Sequence, residues 1–219
     1  MRRIFVDVDT QYDFCAPGGA LFVEGAPKAA EQCARIVQRA LDLGAPIVGS
    51  VDSHAHDAWE FATNDRRGPH GEKPNFPPHC VKGTRGWLKL EATLTRSFVF
   101  VPVDAPSPRV PDGTDAVYFE KEVYSLFANP NAARWLDALC AGQPAEFVVF
   151  GVATDYCVRA AALDSLAWAR SRGGSIADSK VIVVEDAIAG VARESTERAL
   201  AELRAAGVSL QSYEQLFAR

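Results

Sequence analysis

Short apolar runs alternate with segments whose apolar residues recur at helical spacing, and this alternation limits the fold more than any other feature of the chain. The short runs predict buried strands at 3–8, 47–51, 98–101, 116–119, 146–150, 181–184 and 209–213. The helically spaced segments lie at 26–43, 130–140, 155–171 and 194–206. Such alternation predicts an α/β fold, a single domain over residues 1–219 with an open, mostly parallel sheet and helices on both faces.

The composition of the chain limits the kinds of partner that we expect it to bind. The formal charge of −5 does not favour binding to nucleic acid or to an anionic membrane surface. The first apolar run is too short for a signal peptide, and no run approaches the roughly 20 apolar residues that span a bilayer. Five scattered cysteines without a CxxC pair suit a reducing compartment, so we expect a cytoplasmic protein. Homo-oligomer formation is left open.

Polar and reactive side chains follow four of the predicted strands. Asp9 follows the first, Asp52 and His54 the second, Lys121 the strand at 116–119 and Cys157 the strand at 146–150. Ligands of open parallel sheets bind beyond the carboxyl ends of the strands, so we expect these five residues at one edge.

Cys157 is the candidate nucleophile because it lies between a strand and a helix, where the first-turn N–H groups favour a thiolate and an oxyanion. The alternative is a buried structural thiol. Asp9 could take the thiol proton, or it could cap a turn. Lys121 lies between Glu120 and Glu122, and the alternative for it is a solvated charge cluster.

A metal site is indicated between residues 52 and 79, which contain all four histidines of the chain. Asp52 and His54 share one side of an extended chain, and His79 follows the rigid pair Pro77-Pro78. Oxygen and nitrogen donors suit one divalent ion of Zn, Fe or Mn. The fourth ligand is open between Glu72, Glu60, His56 and His70. The alternative is a polar loop with solvated histidines.

Together these segments resemble the nicotinamidase/isochorismatase-like cysteine hydrolases, and the motifs fall in the order of that family. The matching segments are 9–14 (DTQYDF), 52–54 (DSH), 77–80 (PPHC), 120–121 (EK) and 151–158 (GVATDYCV). The resemblance implies an isochorismatase-like, Rossmann-like fold and a catalytic triad of Asp9, Lys121 and Cys157. It also implies a cis peptide between Val152 and Ala153 that aims the N–H groups of Ala153 and Cys157 at an oxyanion.

The metal ligands Asp52, His54 and His79 match the nicotinamidase branch. The resemblance therefore implies a metal-dependent amidohydrolase of NAD salvage that converts nicotinamide to nicotinate and ammonia through a cysteine thioester. Glu72 is the preferred fourth ligand because some members have a glutamate seven residues before the Pro-Pro-His histidine. Phe14 and Phe76 are the candidate contacts for the substrate ring. Residues 85–114 contain no motif by which we match them to the family, and their role is left open.

Three other functions remain as alternatives. An isochorismatase-like hydrolase could act on another small amide. A haloacid-dehalogenase-like phosphatase has an aspartate at the end of its first strand, as residues 5–10 do, but here Thr10 follows Asp9 too soon. A catalytically silent binding protein would usually lack a member of the triad, and all three candidates are present.

Overall fold

The predicted α/β architecture is confirmed by the computed structural model, which describes residues 1–68 and 71–218. Its strands form one sheet in the order β3-β4-β2-β1-β5-β6-β7, and all pairings are parallel. The strands are β1 (Arg2–Val8), β2 (Ile47–Asp52), β3 (Phe98–Val101), β4 (Ala116–Lys121), β5 (Ala145–Val152), β6 (Lys180–Ala189) and β7 (Ser209–Gln211).

Helices cover both faces of this sheet. They are α1 (Tyr12–Cys15), α2 (Ala26–Asp42), α3 (Pro130–Cys140), α4 (Arg159–Arg172), α5 (Arg193–Ala206) and α6 (Tyr213–Phe217). Successive side chains of a strand point to opposite faces. Ile4 and Val6 of β1 accordingly join the core beneath α3, α4 and α5, and Phe5 joins the core beneath α2 and α6.

Local sequence explains where two of the helices begin and end. Asn129 accepts a hydrogen bond from the Asn131 N–H, and Pro130 occupies the first turn of α3, where its missing N–H costs nothing. Helix α5 ends at Gly207, whose φ of 96° is the left-handed conformation that glycine adopts without strain. The sequence predicted this C-terminal glycine.

The end of the chain differs from the prediction. The strand expected over 209–213 stops at Gln211, and α6 begins at Tyr213. The cause is a capping box, in which the Ser212 hydroxyl accepts from the Gln215 N–H and the Gln215 side chain accepts from the Ser212 N–H.

The segment between β2 and β3 contains, in its described residues 53–68 and 71–97, no helix or strand apart from one 3-10 turn at Glu91–Thr93. Isolated bridges tie its described part together and to the residues that follow β1: His54 pairs with Val81, Phe61 with Phe76, and Lys89 with Gln11. The segment therefore packs beside the carboxyl edge of the sheet. No helix among residues 1–68 and 71–218 is long and apolar enough to cross a membrane.

Candidate active site and metal centre

Four adjacent strands bring the predicted reactive residues to one edge of the sheet. Asp9 follows β1, Asp52 ends β2 and Lys121 ends β4. Cys157 lies on the one-turn π-helix Thr154–Val158, between β5 and α4. Strand β1 lies between β2 and β5, so the order of the strands extends from β1 in both directions. Open parallel sheets bind ligands at such a switch point.

Lys121 is the centre of the catalytic candidates. Its ammonium is fully buried and lies 2.8 Å from Asp9 Oδ2, 2.7 Å from Asp52 Oδ1 and 3.5 Å from Cys157 Sγ. Burial alone would lower the pKa of Lys121, but the charges of Asp52 and Asp9 outweigh it and raise that pKa well above its usual range. The structure thus excludes a solvated charge cluster for Lys121 and leaves it as a buried cation beside the thiol.

Asp9 is held rigidly against this cation. Its φ of 48° is unusual for a residue with a side chain. Ser50 of β2 donates a hydrogen bond to Asp9 Oδ1 at 2.7 Å, and the Asp9 N–H donates to the Ser50 carbonyl at 3.2 Å. Burial raises the pKa of Asp9, and Lys121 opposes that rise. A carboxylate with a raised pKa is better matched to accepting and returning a proton near neutral pH.

Cys157 is a buried thiol that still borders a cavity. Its side chain is only 7% exposed, and burial raises its pKa well above the usual range, although Lys121 opposes the rise. A thiol in this state needs a base before it can act as a nucleophile. The peptide between Val152 and Ala153 is cis, as the family resemblance implies. Ala153 and Cys157 both line the cavity, and their role as oxyanion donors stays a prediction.

Asp52, His54 and His79 also meet, and their donor atoms lie within 4.8 Å of one another. Asp52 Oδ2 is 3.3 Å from His54 Nε2 and 3.5 Å from His79 Nε2. Two donors bound at about 2.1 Å to one ion in tetrahedral geometry are separated by about 3.4 Å, and both spacings lie close to that value, as a divalent metal requires. His79 Nδ1 lies 2.9 Å from the Pro77 carbonyl, which leaves the Nε2 lone pair for an ion.

Glu60, rather than the preferred Glu72, lies beside the two imidazoles. Glu60 Oε1 is 3.2 Å from His54 Nε2 and 3.3 Å from His79 Nε2. Glu72 is exposed, and its carboxylate lies over Gly68. His56 is also exposed, and His70 lies outside the described residues.

Electrostatics favours a cation among these carboxylates and imidazoles. Burial raises the pKa of Glu60. Burial would also raise the pKa of Asp52, but the charge of Lys121 and the hydrogen bonds of His54 and His79 together outweigh it and hold that pKa well below its usual range. For His54, burial lowers the pKa, and the hydrogen bond and charge of Asp52 reverse the effect and raise it. Two buried carboxylates therefore attract a positive charge, which a proton or a divalent ion could supply.

The cavity above these groups has a volume of about 260 Å³. Phe14 and Phe76, the predicted ring contacts, both line it. Sequence reasoning missed other parts of the wall, among them Leu21, Tyr124 and Tyr156. None of these had a local pattern that distinguishes a pocket residue from ordinary core.

Two further motif residues, Gln11 and Asp13, hold the site together. The Gln11 side chain donates to the Asp52 carbonyl at 2.8 Å and accepts from the Asp52 N–H at 2.7 Å. Asp13 Oδ2 accepts from the Cys80 N–H at 2.7 Å, and Asp13 Oδ1 accepts from the Ala20 N–H at 3.0 Å. Asp13 thus fixes the residue next to His79. Their position just after a predicted strand was the available signal.

Comparison with known proteins agrees with this geometry. Residues 102–215 match the isochorismatase domain family. The chain is 30% identical to a nicotinamidase/pyrazinamidase from Mycobacterium tuberculosis over 95% of its length and 97% of the relative. It is 27% identical to a nicotinamidase from Escherichia coli, over 95% and 93% of the two chains. The structure of a pyrazinamidase from Pyrococcus horikoshii in complex with zinc superposes with a TM-score of 0.72 at 27% identity, over 97% of this chain and 100% of the other.

The fold and the site define an α/β enzyme that works at the carboxyl edge of a parallel sheet. The chain belongs to the isochorismatase family, in the branch of the nicotinamidases and pyrazinamidases, and it is an amide-hydrolysing enzyme. This family membership excludes the phosphatase alternative.

Proposed function

We propose that this chain, acting as one hydrolase domain over residues 1–219, hydrolyses nicotinamide to nicotinate and ammonia through a thioester on Cys157. The observation that supports it most is the position of the Lys121 ammonium, in contact with the Cys157 thiol, the Asp9 carboxylate and Asp52 of the donor cluster. One buried cation thus connects the predicted nucleophile, the predicted base and the predicted metal site.

Asp9 accepts the thiol proton of Cys157, and the sulfur adds to the carboxamide carbon. The proton then passes from Asp9 to the departing nitrogen, which leaves as ammonia while the thioester forms. Water attacks the thioester with Asp9 again as the base, and nicotinate leaves as the thiol re-forms. Lys121 keeps Asp9 oriented and ionised until the proton moves, because the two groups pair at 2.8 Å.

The developing oxyanion is assigned to the N–H groups of Ala153 and Cys157. Both residues line the cavity, and Cys157 is itself the proposed nucleophile. Donors of this kind contribute when they point to where charge develops, typically about 10²- to 10³-fold in kcat for each.

Asp52, His54 and His79 are the proposed ligands of one divalent ion, with Glu60 as the fourth. A bound ion of Zn, Fe or Mn would supply a Lewis acid that orients the ring nitrogen of the substrate, directly or through water. The related pyrazinamidase in complex with zinc supports this assignment. Spacing supports Glu60 over Glu72, since Glu60 Oε1 lies within 3.3 Å of both imidazoles.

A neutral aromatic carboxamide fits the cavity best. Phe14 and Phe76 provide ring contacts, and the described residues of the lining include neither lysine nor arginine. An anionic substituent on the ring would therefore find no cationic side chain to pair with in this lining, which favours nicotinamide or pyrazinamide over a ring that carries a carboxylate. The reaction would serve NAD salvage, which we place in the cytoplasm.

A continuous assay of ammonia release over a panel of small carboxamides tests the proposal. Nicotinamide and pyrazinamide are expected to be turned over, and Cys157→Ala protein serves as the blank. Turnover of an unrelated amide without turnover of nicotinamide would favour the alternative isochorismatase-like amidase and reject the proposed substrate.

A further inference from the structure

The mouth of the catalytic cavity carries a cluster of exposed apolar side chains. Phe22, Val123, Tyr124 and Val191 line the cavity, yet they are 40%, 41%, 46% and 60% exposed. Among the described residues only nine large apolar side chains are this exposed, so four of the nine lie at one opening. Single exposed apolar residues are ordinary, but a contiguous patch at a cavity marks a binding surface. We call these four residues the apolar rim.

Hydrogen bonds of the backbone or of a neighbouring side chain hold each segment that carries the rim. The N–H of Val191 donates to Asp155 Oδ1 at 3.0 Å, and Asp155 lies two residues before the nucleophile. The hydroxyl of Ser125, next to Tyr124, donates to Asp164 Oδ2 of α4 at 2.5 Å.

The loop that carries Phe22 is fixed in the same way. Leu21 N–H donates to the Asp13 carbonyl at 3.1 Å, and Val23 N–H donates to the Phe14 carbonyl at 2.9 Å. The rim is therefore a preformed surface, and a ligand that covers it would meet a small ordering cost.

The wall between the rim and the nucleophile is aromatic. The rings of Tyr124 and Tyr156 lie 5.2 Å apart, and Tyr156 precedes Cys157 in the chain. Burial raises the pKa of Tyr124 to about 12, so its phenol stays neutral at physiological pH. A substrate that reaches from Cys157 to the opening would pass along a neutral, largely apolar surface.

The orientation of the amide decides which part of a substrate reaches the rim. The leaving nitrogen must face Asp9, which is fully buried against Ser50 and Lys121, so a bulky group on that nitrogen has no space. Asp52, Glu60 and His79 line the same cavity, and under the proposed function they receive the ring nitrogen. A ring held at both its amide and its nitrogen would turn its remaining edge toward the exposed apolar rim.

Resting on the proposed function, we infer that the enzyme acts on primary carboxamides of heteroaromatic rings that carry an apolar substituent, and that the apolar rim binds this substituent. The rim residues are then determinants of specificity. They select among carboxamides by the group on the ring, while Cys157 and its partners act on the amide common to all.

The test compares ammonia release from nicotinamide with release from a nicotinamide that carries a phenyl group on the ring carbon meta to both the amide and the ring nitrogen. The wild-type protein is expected to hydrolyse the phenyl compound with a kcat/KM no lower than that for nicotinamide. In the double variant Val123→Ser/Val191→Ser, the ratio of the two kcat/KM values is expected to fall about tenfold, because small differences in apolar contact discriminate substrates by that factor or more.

Leu43→Ser is the matched control. Leu43 is 48% exposed at the end of α2, where the chain approaches the opposite edge of the sheet, and this variant should leave both kcat/KM values unchanged. The inference would be overturned by poor turnover of the phenyl compound by the wild type, or by an unchanged ratio in the double variant. In either case turnover of nicotinamide would leave the proposed function standing. Failure with both compounds would reject the proposed function and the inference together. A dimer that the double variant dissociates without changing the ratio would assign the rim to a second copy of the chain instead.

Discussion

Replacing Lys89 by methionine should destabilise the fold strongly, although Lys89 takes no part in the proposed chemistry. Its ammonium lies 2.9 Å from Asp7 Oδ2 with both side chains fully buried, donates to Thr10 Oγ1 at 2.7 Å and lies 4.3 Å from the centre of the Tyr118 ring. Methionine fills similar space but leaves the Asp7 carboxylate buried without its cation. Breaking a buried pair in this way costs about 3–5 kcal/mol.

Urea unfolding followed by circular dichroism measures this loss. For a chain of this size, a loss of 1 kcal/mol in the free energy of unfolding lowers Tm by roughly 2–4 °C, so the Lys89→Met protein should melt about 6–20 °C below wild type. The double variant Asp7→Leu/Lys89→Met should recover much of the loss, because no lone charge remains buried. Arg193→Met is the control, since Arg193 pairs with Glu197 in solvent and exposed pairs contribute about 0.5 kcal/mol or less. A loss below about 1 kcal/mol in Lys89→Met, or additive losses in the double variant, would refute the reasoning.

Three further predictions concern the site. Glu60→Gln should weaken zinc binding, measured by equilibrium dialysis, at least about tenfold, while Glu72→Gln should leave it unchanged. If only Glu72→Gln weakened zinc binding, Glu72 would be the ligand. Asp9→Asn should lower kcat for ammonia release by about 10²- to 10⁴-fold, and a loss smaller than tenfold would exclude Asp9 as the base. Burial raises the pKa of Asp9, and only the ionised carboxylate accepts the thiol proton, so kcat/KM should fall with decreasing pH at a midpoint above the ordinary aspartate value of about 3.9. A midpoint at or below that value would contradict the burial argument.

Most of the fold could be predicted because buried parallel strands appear in a sequence as short apolar runs. The prediction failed where polar residues enter a strand. The run at 181–184 stops before Glu185 and Asp186, which are exposed, yet β6 continues to Ala189 through a shift in its register with β5. A register shift of this kind depends on the neighbouring strand, and a single segment of sequence does not show it.

The residues of the site, like the strands, could be predicted only in part. Asp9, Asp52, Lys121 and Cys157 could be placed because the ends of parallel strands meet at one edge, whatever the loops do. The fourth ligand candidate could not, because it lies in a segment without periodicity. The Glu60 carbonyl accepts from the N–H groups of Asn75 and Phe76, and this folding of the loop onto itself brings Glu60 to the imidazoles.

The buried pair of Asp7 and Lys89 was also unpredicted. The two residues lie far apart in the sequence, and Lys89 belongs to none of the motifs that carried the family resemblance. Long-range ion pairs leave no local pattern in a single sequence.

The most direct test of the central claim is ammonia release from nicotinamide by Cys157→Ala protein, with folding checked by circular dichroism. Cys15→Ala is the matched control, since Cys15 is also buried but lies outside the described lining of the cavity. If Cys157 forms the thioester, Cys157→Ala should lose at least about 10⁴-fold in kcat while remaining folded, and Cys15→Ala should stay active. Near-wild-type turnover by folded Cys157→Ala protein would contradict the account.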